Sequence, residues 1–108
     1  MDEIQQQIDQ TVKDNEIVIF MKGSPEYPQC GFSATASQIL VGLERPFAYV
    51  DVFEIPEARQ GVKDYTQWPT IPQIFVKGEF IGGCDILQQM AASGELRGLF
   101  EEKAPAAE

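Results

Sequence analysis

Ile17-Val18-Ile19-Phe20-Met21 is a short, unbroken apolar run with β-branched residues, the pattern of a strand buried on both faces and therefore of a central, parallel-type strand. Its neighbours in sequence define what surrounds it. Upstream, Ile4, Ile8 and Val12 recur every four residues among polar Gln, Asp and Lys, which predicts a first amphipathic helix over roughly residues 2–14 with a narrow inner face. Downstream, residues 22–29 contain Gly23, Pro25 and Pro28 and must form a loop. Residues 31–43 then read as a helix with Ile39, Leu40 and Leu43 facing inward. Cys30 falls where strand, loop and helix meet.

A second strand is predicted over residues 47–52, followed by a helix with Pro56 in its first turn and Ala58, Val62 and Tyr65 on its inner face. Gln73-Ile74-Phe75-Val76 and Glu79-Phe80-Ile81-Gly82 flank Lys77-Gly78, a spacing that suits an antiparallel hairpin with a tight turn. Asp85 followed by Gln88 has the form of a capping box. It would open a helix with Ile86, Leu87 and Met90 inward and Gly94 at its end. A short helix over residues 95–100 follows. The order β-α-β-α-β-β-α, with a buried first strand and a terminal hairpin, predicts an α/β protein of the thioredoxin-like fold: a four-stranded mixed sheet with helices on both faces. The chain reads as one domain over residues 1–108, with an ordered core at about 2–101 and a polar tail at 102–108.

Composition narrows the chemistry. The 108 residues are 44% hydrophobic, enough for one core, and no apolar stretch approaches the ~20 residues needed to span a bilayer. A net charge of −9 repels polyphosphates and anionic membrane surfaces, so nucleic acid and membrane are not expected partners and any anion site must be local. The absence of histidine removes Ser-His and Cys-His nucleophilic pairs and His-containing metal sites. Two cysteines without a leader sequence fit a reducing, cytoplasmic setting.

Cys30 just before a helix sits near unpaired N–H groups and the positive end of the helix dipole, which favour thiolate over thiol. Lys22 would add to that effect if the loop folds back. A free cysteine is also often a small buried hydrophobe, and position alone does not choose between the two.

Lys22-Gly23-Ser24-Pro25 leading to Cys30-Gly31-Phe32-Ser33, then Trp68-Pro69-Thr70-Ile71-Pro72-Gln73, then Gly82-Gly83-Cys84-Asp85, resemble in content and order the CGFS monothiol glutaredoxin family. The resemblance runs from about Ile4 to Phe100 and is to the short, single-domain bacterial members. Ser33 stands where dithiol relatives carry a second cysteine, so a resolving thiol must come from outside the Cys30-to-Ser33 motif. The resemblance implies a glutathione site made by Lys22, Arg59, Ile71, Cys84 and Asp85. In it, Lys22 and Arg59 meet the glycyl carboxylate, a cis Pro72 presents the Ile71 backbone, and the Cys84-Asp85 helix start meets the γ-glutamyl group. Each residue has a plainer reading: Arg59 as a solvated charge, Trp68 and Pro69 as packing residues, Asp85 as an N-cap, Gly82 and Gly83 as a turn or bulge.

What the resemblance implies for function is carriage of a [2Fe-2S] cluster bridging a homodimer, each protomer giving Cys30 and the thiolate of one bound glutathione. It also implies a heterodimer with a BolA-family protein, and iron-sulfur acceptor proteins as recipients. Two protomers each giving Cys30 and Cys84 would also make four ligands, and a Cys30–Cys84 disulfide stays open. So does a glutathione-dependent oxidoreductase in which Cys30 is the nucleophile.

Overall fold

The described chain, residues 2–101 of this computed structural model, runs α1 (Glu3–Asp14), β1 (Ile17–Met21), α2 (Gly31–Gly42), β2 (Ala48–Asp51), α3 (Pro56–Thr66), β3 (Gln73–Val76), β4 (Glu79–Gly82), α4 (Cys84–Ser93) and α5 (Glu95–Gly98). The polar tail expected at 102–108 lies outside the described residues. The strands lie in the order β2-β1-β3-β4. β1 is parallel to β2 and antiparallel to β3, and β3 is antiparallel to β4. This is the expected thioredoxin-like mixed sheet, with the central strand parallel on one side only.

Alternation along the strands divides the core in two. Ile17, Ile19 and Met21, with Ile74 and Val76, pack against Ala36 and Leu40 of α2, Leu87 and Met90 of α4, and Leu96 of α5. Val18, Phe20 and Phe75 face the other way, onto Ile8 and Val12 of α1 and Ala58 and Val62 of α3. Every residue of β1 is buried because both of its faces are covered.

Local chemistry explains most boundaries. Asp2 caps α1 by accepting from Gln5 N at 2.9 Å. Pro56 occupies the first turn of α3, where its missing N–H costs nothing. Lys77 and Gly78 both have positive φ, 54° and 83°, as a two-residue hairpin turn requires. Gly94, at φ 86°, ends α4 as expected. Tyr65 of α3 donates its hydroxyl to Asp9 Oδ1 of α1 at 2.7 Å, tying those helices together above their apolar contact.

Some expectations fail near the ends. α4 begins at Cys84 with Gly83 as its N-cap, so the Asp85–Gln88 capping box does not form. The chain leaves β4 through Gly82, at φ 134°, and enters the helix before Asp85, leaving that carboxylate inside the first turn. Starting there, the inner stripe is Cys84, Leu87 and Met90. Ile86 is therefore not inward but 36% exposed. α5 stops at Gly98 rather than Phe100. The Phe100 ring meets two cations, Arg45, with its Cζ 4.6 Å from the ring centroid, and Lys77, with its Nζ at 5.7 Å. Ile39 is half-buried at the core's margin, while the inner face of α2 is mostly small: Ser33, Ala36, Ser37 and Leu40.

Candidate functional site

The loop after β1 is folded back by hydrogen bonds to its own ends. Gln29 N donates to Lys22 O at 2.8 Å, and Ser24 and Tyr27 exchange backbone bonds at 3.3 and 3.1 Å. Two side chains fix the loop to the scaffold: Gly23 N donates to Asp51 Oδ1 at 3.0 Å, and Lys22 N donates to Ser33 Oγ at 3.1 Å. The same Asp51 oxygen accepts from Phe53 N at 2.9 Å, so one carboxylate at the end of β2 anchors two loops. The result delivers Cys30 to the N-cap of α2, with Lys22 beside it.

Cys30 is half-buried, and its pKa is lowered below the ordinary thiol value. The backbone N–H of Ser33 is the largest cause, aided by the Phe32 N–H, the Lys22 ammonium and the Ser33 hydroxyl, while partial burial opposes them. The first turn of α2 thus does what a helix N-terminus does for an anion. Ser33 itself is buried, so the second position of the motif holds a sequestered hydroxyl.

A cleft of ≈ 430 Å³ opens beside Cys30, within the range of small-ligand sites. Lys22, Arg59, Ile71, Cys84 and Asp85 all line it together with Cys30, so every site residue expected from the sequence converges here. The Ile71–Pro72 peptide is cis, and the segment from Trp68 to Pro72 forms one wall. Trp68 and Pro69, both exposed, are therefore cleft residues, and of the two Trp68 also packs on the scaffold. The Trp68 indole rests edge-on against Phe80, with centroids 5.7 Å apart. At the start of α4 a side chain on Gly83 would bring its Cβ to 3.2 Å from Pro72 O, so glycine there keeps the helix start close to the wall.

Lys63 also lines the cleft and was not anticipated. Its position four residues after Arg59 on α3, hence on the same helix face, was the available signal. Among the described residues the ion pairs are Lys13–Asp9 and Arg45–Glu16, so the three cleft cations have no carboxylate partner. In a chain of net charge −9, three such cations against the one Asp85 carboxylate give the cleft a locally positive lining.

The two thiols differ in state. Cys84 is buried, 7% exposed, and its pKa is raised by that burial first and then by the negative neighbours Asp85 and Cys30. At neutral pH Cys30 therefore carries the larger thiolate fraction. Alkylation of the Cys84→Ser variant by iodoacetamide is expected to inflect below the ordinary thiol pKa of ~8.5, and that of Cys30→Ser above it. As pH falls, Cys84 loses reactivity first; coincident profiles would contradict the assignment. Among the described residues no group of three or more Cys, Asp or Glu is placed to hold a metal ion, and no helix is long and apolar enough to cross a membrane.

Comparison with known proteins adds an independent line. A family model described as Glutaredoxin matches residues 17–81. The chain is 48% identical over 104 residues to Glutaredoxin 4 of Haemophilus influenzae, covering 96% of this chain and 94% of that protein. It is 48% identical over 103 residues to the mitochondrial monothiol glutaredoxin-5 of Saccharomyces cerevisiae, covering 93% and 69%. Among solved structures, a monomeric truncated mutant of Trypanosoma brucei 1-C-Grx1 superposes with TM-score 0.82 at 39% identity, covering 92% of this chain and 90% of that one.

Proposed function

The chain belongs to the glutaredoxin family as a monothiol member, and on that premise we propose that it carries a [2Fe-2S] cluster, held between two copies of the chain by Cys30 and by the thiolates of bound glutathione. The observation that carries the proposal is the contrast between the two thiols in one cationic cleft: Cys30 half-buried at a helix start with its pKa lowered, Cys84 buried with its pKa raised. A cluster of this type takes four ligands. Each protomer then supplies one good thiolate and needs a second from outside.

Glutathione fits that need by its chemistry. Its two carboxylates suit Lys22, Arg59 and Lys63 and the N–H groups at the start of α4, its amino group suits the Asp85 carboxylate, and its backbone suits the Ile71 segment. Its thiol would then lie toward Cys30. Because half of the ligands are held non-covalently, they can leave with the cargo while the fold stays intact. Iron-sulfur acceptor proteins as recipients, a heterodimer with a BolA-family protein, and a cytoplasmic location belong to the same proposal.

A second reading has its own support in the lowered Cys30 pKa. The Cys30 thiolate attacks the glutathione sulfur of a mixed disulfide, forming Cys30–S–S–glutathione and releasing the substrate's thiolate. A second glutathione thiolate then attacks that bond, giving oxidised glutathione and regenerating the Cys30 thiolate. Atoms and electrons balance with glutathione as the only reductant. Anaerobic reconstitution with iron, sulfide and glutathione distinguishes the two. Two protomers, two glutathiones and one cluster per coloured dimer are expected; rapid turnover of a glutathione mixed disulfide with no cluster formed would replace the carrier by the oxidoreductase.

A further inference from the structure

Gln73 is the one amide side chain among the buried polar residues of the described chain, at 0% exposure, and it belongs to the innermost core. A primary amide has two N–H donors and one carbonyl acceptor, and burial makes any unused one costly. Here both donors are used on the segment that follows α3, and the acceptor faces the hydroxyl of Thr66, the last residue of α3, which also lies 3.0 Å from Val62 O. Nε2 donates to Trp68 O at 3.0 Å and to Thr70 O at 3.1 Å, and Oε1 lies 2.8 Å from Thr66 Oγ1. Thr66 Oγ1 in turn accepts from Trp68 N at 3.1 Å.

That segment is the cleft wall. It leaves α3 through Gln67 in the left-handed region, at φ 60°, and contains Pro69 and Pro72, which have no N–H to give. It forms no helix or strand before β3. A loop without its own ladder must be ordered by side chains, and the Gln73 amide reaches it at two carbonyls and, through Thr66, at its start.

We propose that Gln73 is the positioning residue of the glutathione site: its amide holds the Trp68–Thr70 backbone in the shape that presents Ile71 and the Trp68 indole to the ligand. The inference rests on the glutathione reading for the ligand, though not for the loop. Gln73 lies behind the wall and does not itself line the cleft, so its effect on binding is exerted through the loop.

Trp68 is the only tryptophan in the chain, which gives the loop its own reporter. The test compares the unsubstituted chain with Gln73→Met, of similar length but without donors, and with Thr66→Val, which removes one node of the same network. Trp68 emission, acrylamide quenching and glutathione titration are read under conditions where far-UV circular dichroism shows a folded chain. Gln73→Met is expected to raise the glutathione dissociation constant about tenfold, the size of one lost buried hydrogen-bond set, and to make Trp68 more accessible to quencher. Thr66→Val should shift both in the same direction by less, and it decides the matter if Gln73→Met does not fold.

Folded variants with lowered thermal stability but unchanged Trp68 quenching and unchanged glutathione affinity would overturn the proposal, leaving Gln73 a packing residue. Failure of the unsubstituted chain to bind glutathione would instead overturn the ligand assignment. The quenching comparison would still decide what Gln73 does to the loop.

Discussion

Replacing Cys30 by serine is expected to abolish cluster binding in anaerobic reconstitution, while replacing Cys84 by serine leaves a coloured dimer with the same glutathione content. A serine hydroxyl stays protonated at neutral pH and does not substitute for a thiolate toward iron, so Cys30→Ser removes one ligand from each protomer. Cys84 stands differently. It is almost fully buried and its neighbours Asp85 and Cys30 disfavour its ionisation, so the ligand model in which both cysteines of each chain bind the cluster asks the poorer thiolate to serve. Absorption spectra, iron content and glutathione quantification on both variants check the expectation. Loss of the cluster in a folded Cys84→Ser protein would eliminate the borrowed-thiolate arrangement.

The second large effect is expected from Gly23→Ala. Gly23 has φ 90°, and a Cβ there would lie 2.5 Å from Tyr27 O and 2.8 Å from Gln29 N. Both are backbone atoms of a loop closed on itself by the Gln29–Lys22 bond, so neither can swing aside as a flexible side chain would. The left-handed conformation alone costs an L-residue ~1–2 kcal/mol. With the overlap added, a loss of about 2 kcal/mol or more is expected in urea unfolding. The functional loss should be larger than the stability loss suggests, because the same loop carries Lys22 and sets the approach to Cys30. Alanine at Gly78, where φ is also positive but no atom lies within 4 Å, provides the control: it bears the conformational cost without the overlap.

The fold was legible where one local rule decided. The Ile17–Met21 run and the Lys77-Gly78 turn needed no tertiary information, and the glycine and prolines of residues 22–29 left only a helix start for Cys30. The start of α4 was misread because both glycine and aspartate are good N-cap residues. What chose Gly83 was the path of the chain out of β4, past Pro72, and that is invisible in the residues of the helix. The sequence extends the last helix to Phe100 because that residue's partners, Arg45 and Lys77, lie far away in sequence. The six site residues that the resemblance implies all line the cleft. Lys63 escapes a sequence reading because a lysine on an exposed helix face reads as solvated charge until the fold sets it in the same cleft as Lys22. Gln73 reads in the sequence as the first residue of a strand and the last of the Trp68-to-Gln73 motif, and neither reading gives its side chain a role. Its burial reverses what is normally expected of an amide, and only the loop folded over it supplies the reason.

The meeting of two cations at Phe100 has a consequence for how the molecule could be tuned. Lys77 N donates to Glu16 O at the start of β1, and Arg45 bonds Glu16 there as well; Cys30 follows the loop at the other end of the same strand. Five strand residues separate these poles by about 17 Å, beyond the range at which substitutions usually couple energetically. Thermal robustness can therefore be adjusted at the pole of the two cations as an independent variable, leaving thiol chemistry at the opposite pole as a constant. A single fully covered strand is the insulator between the two poles.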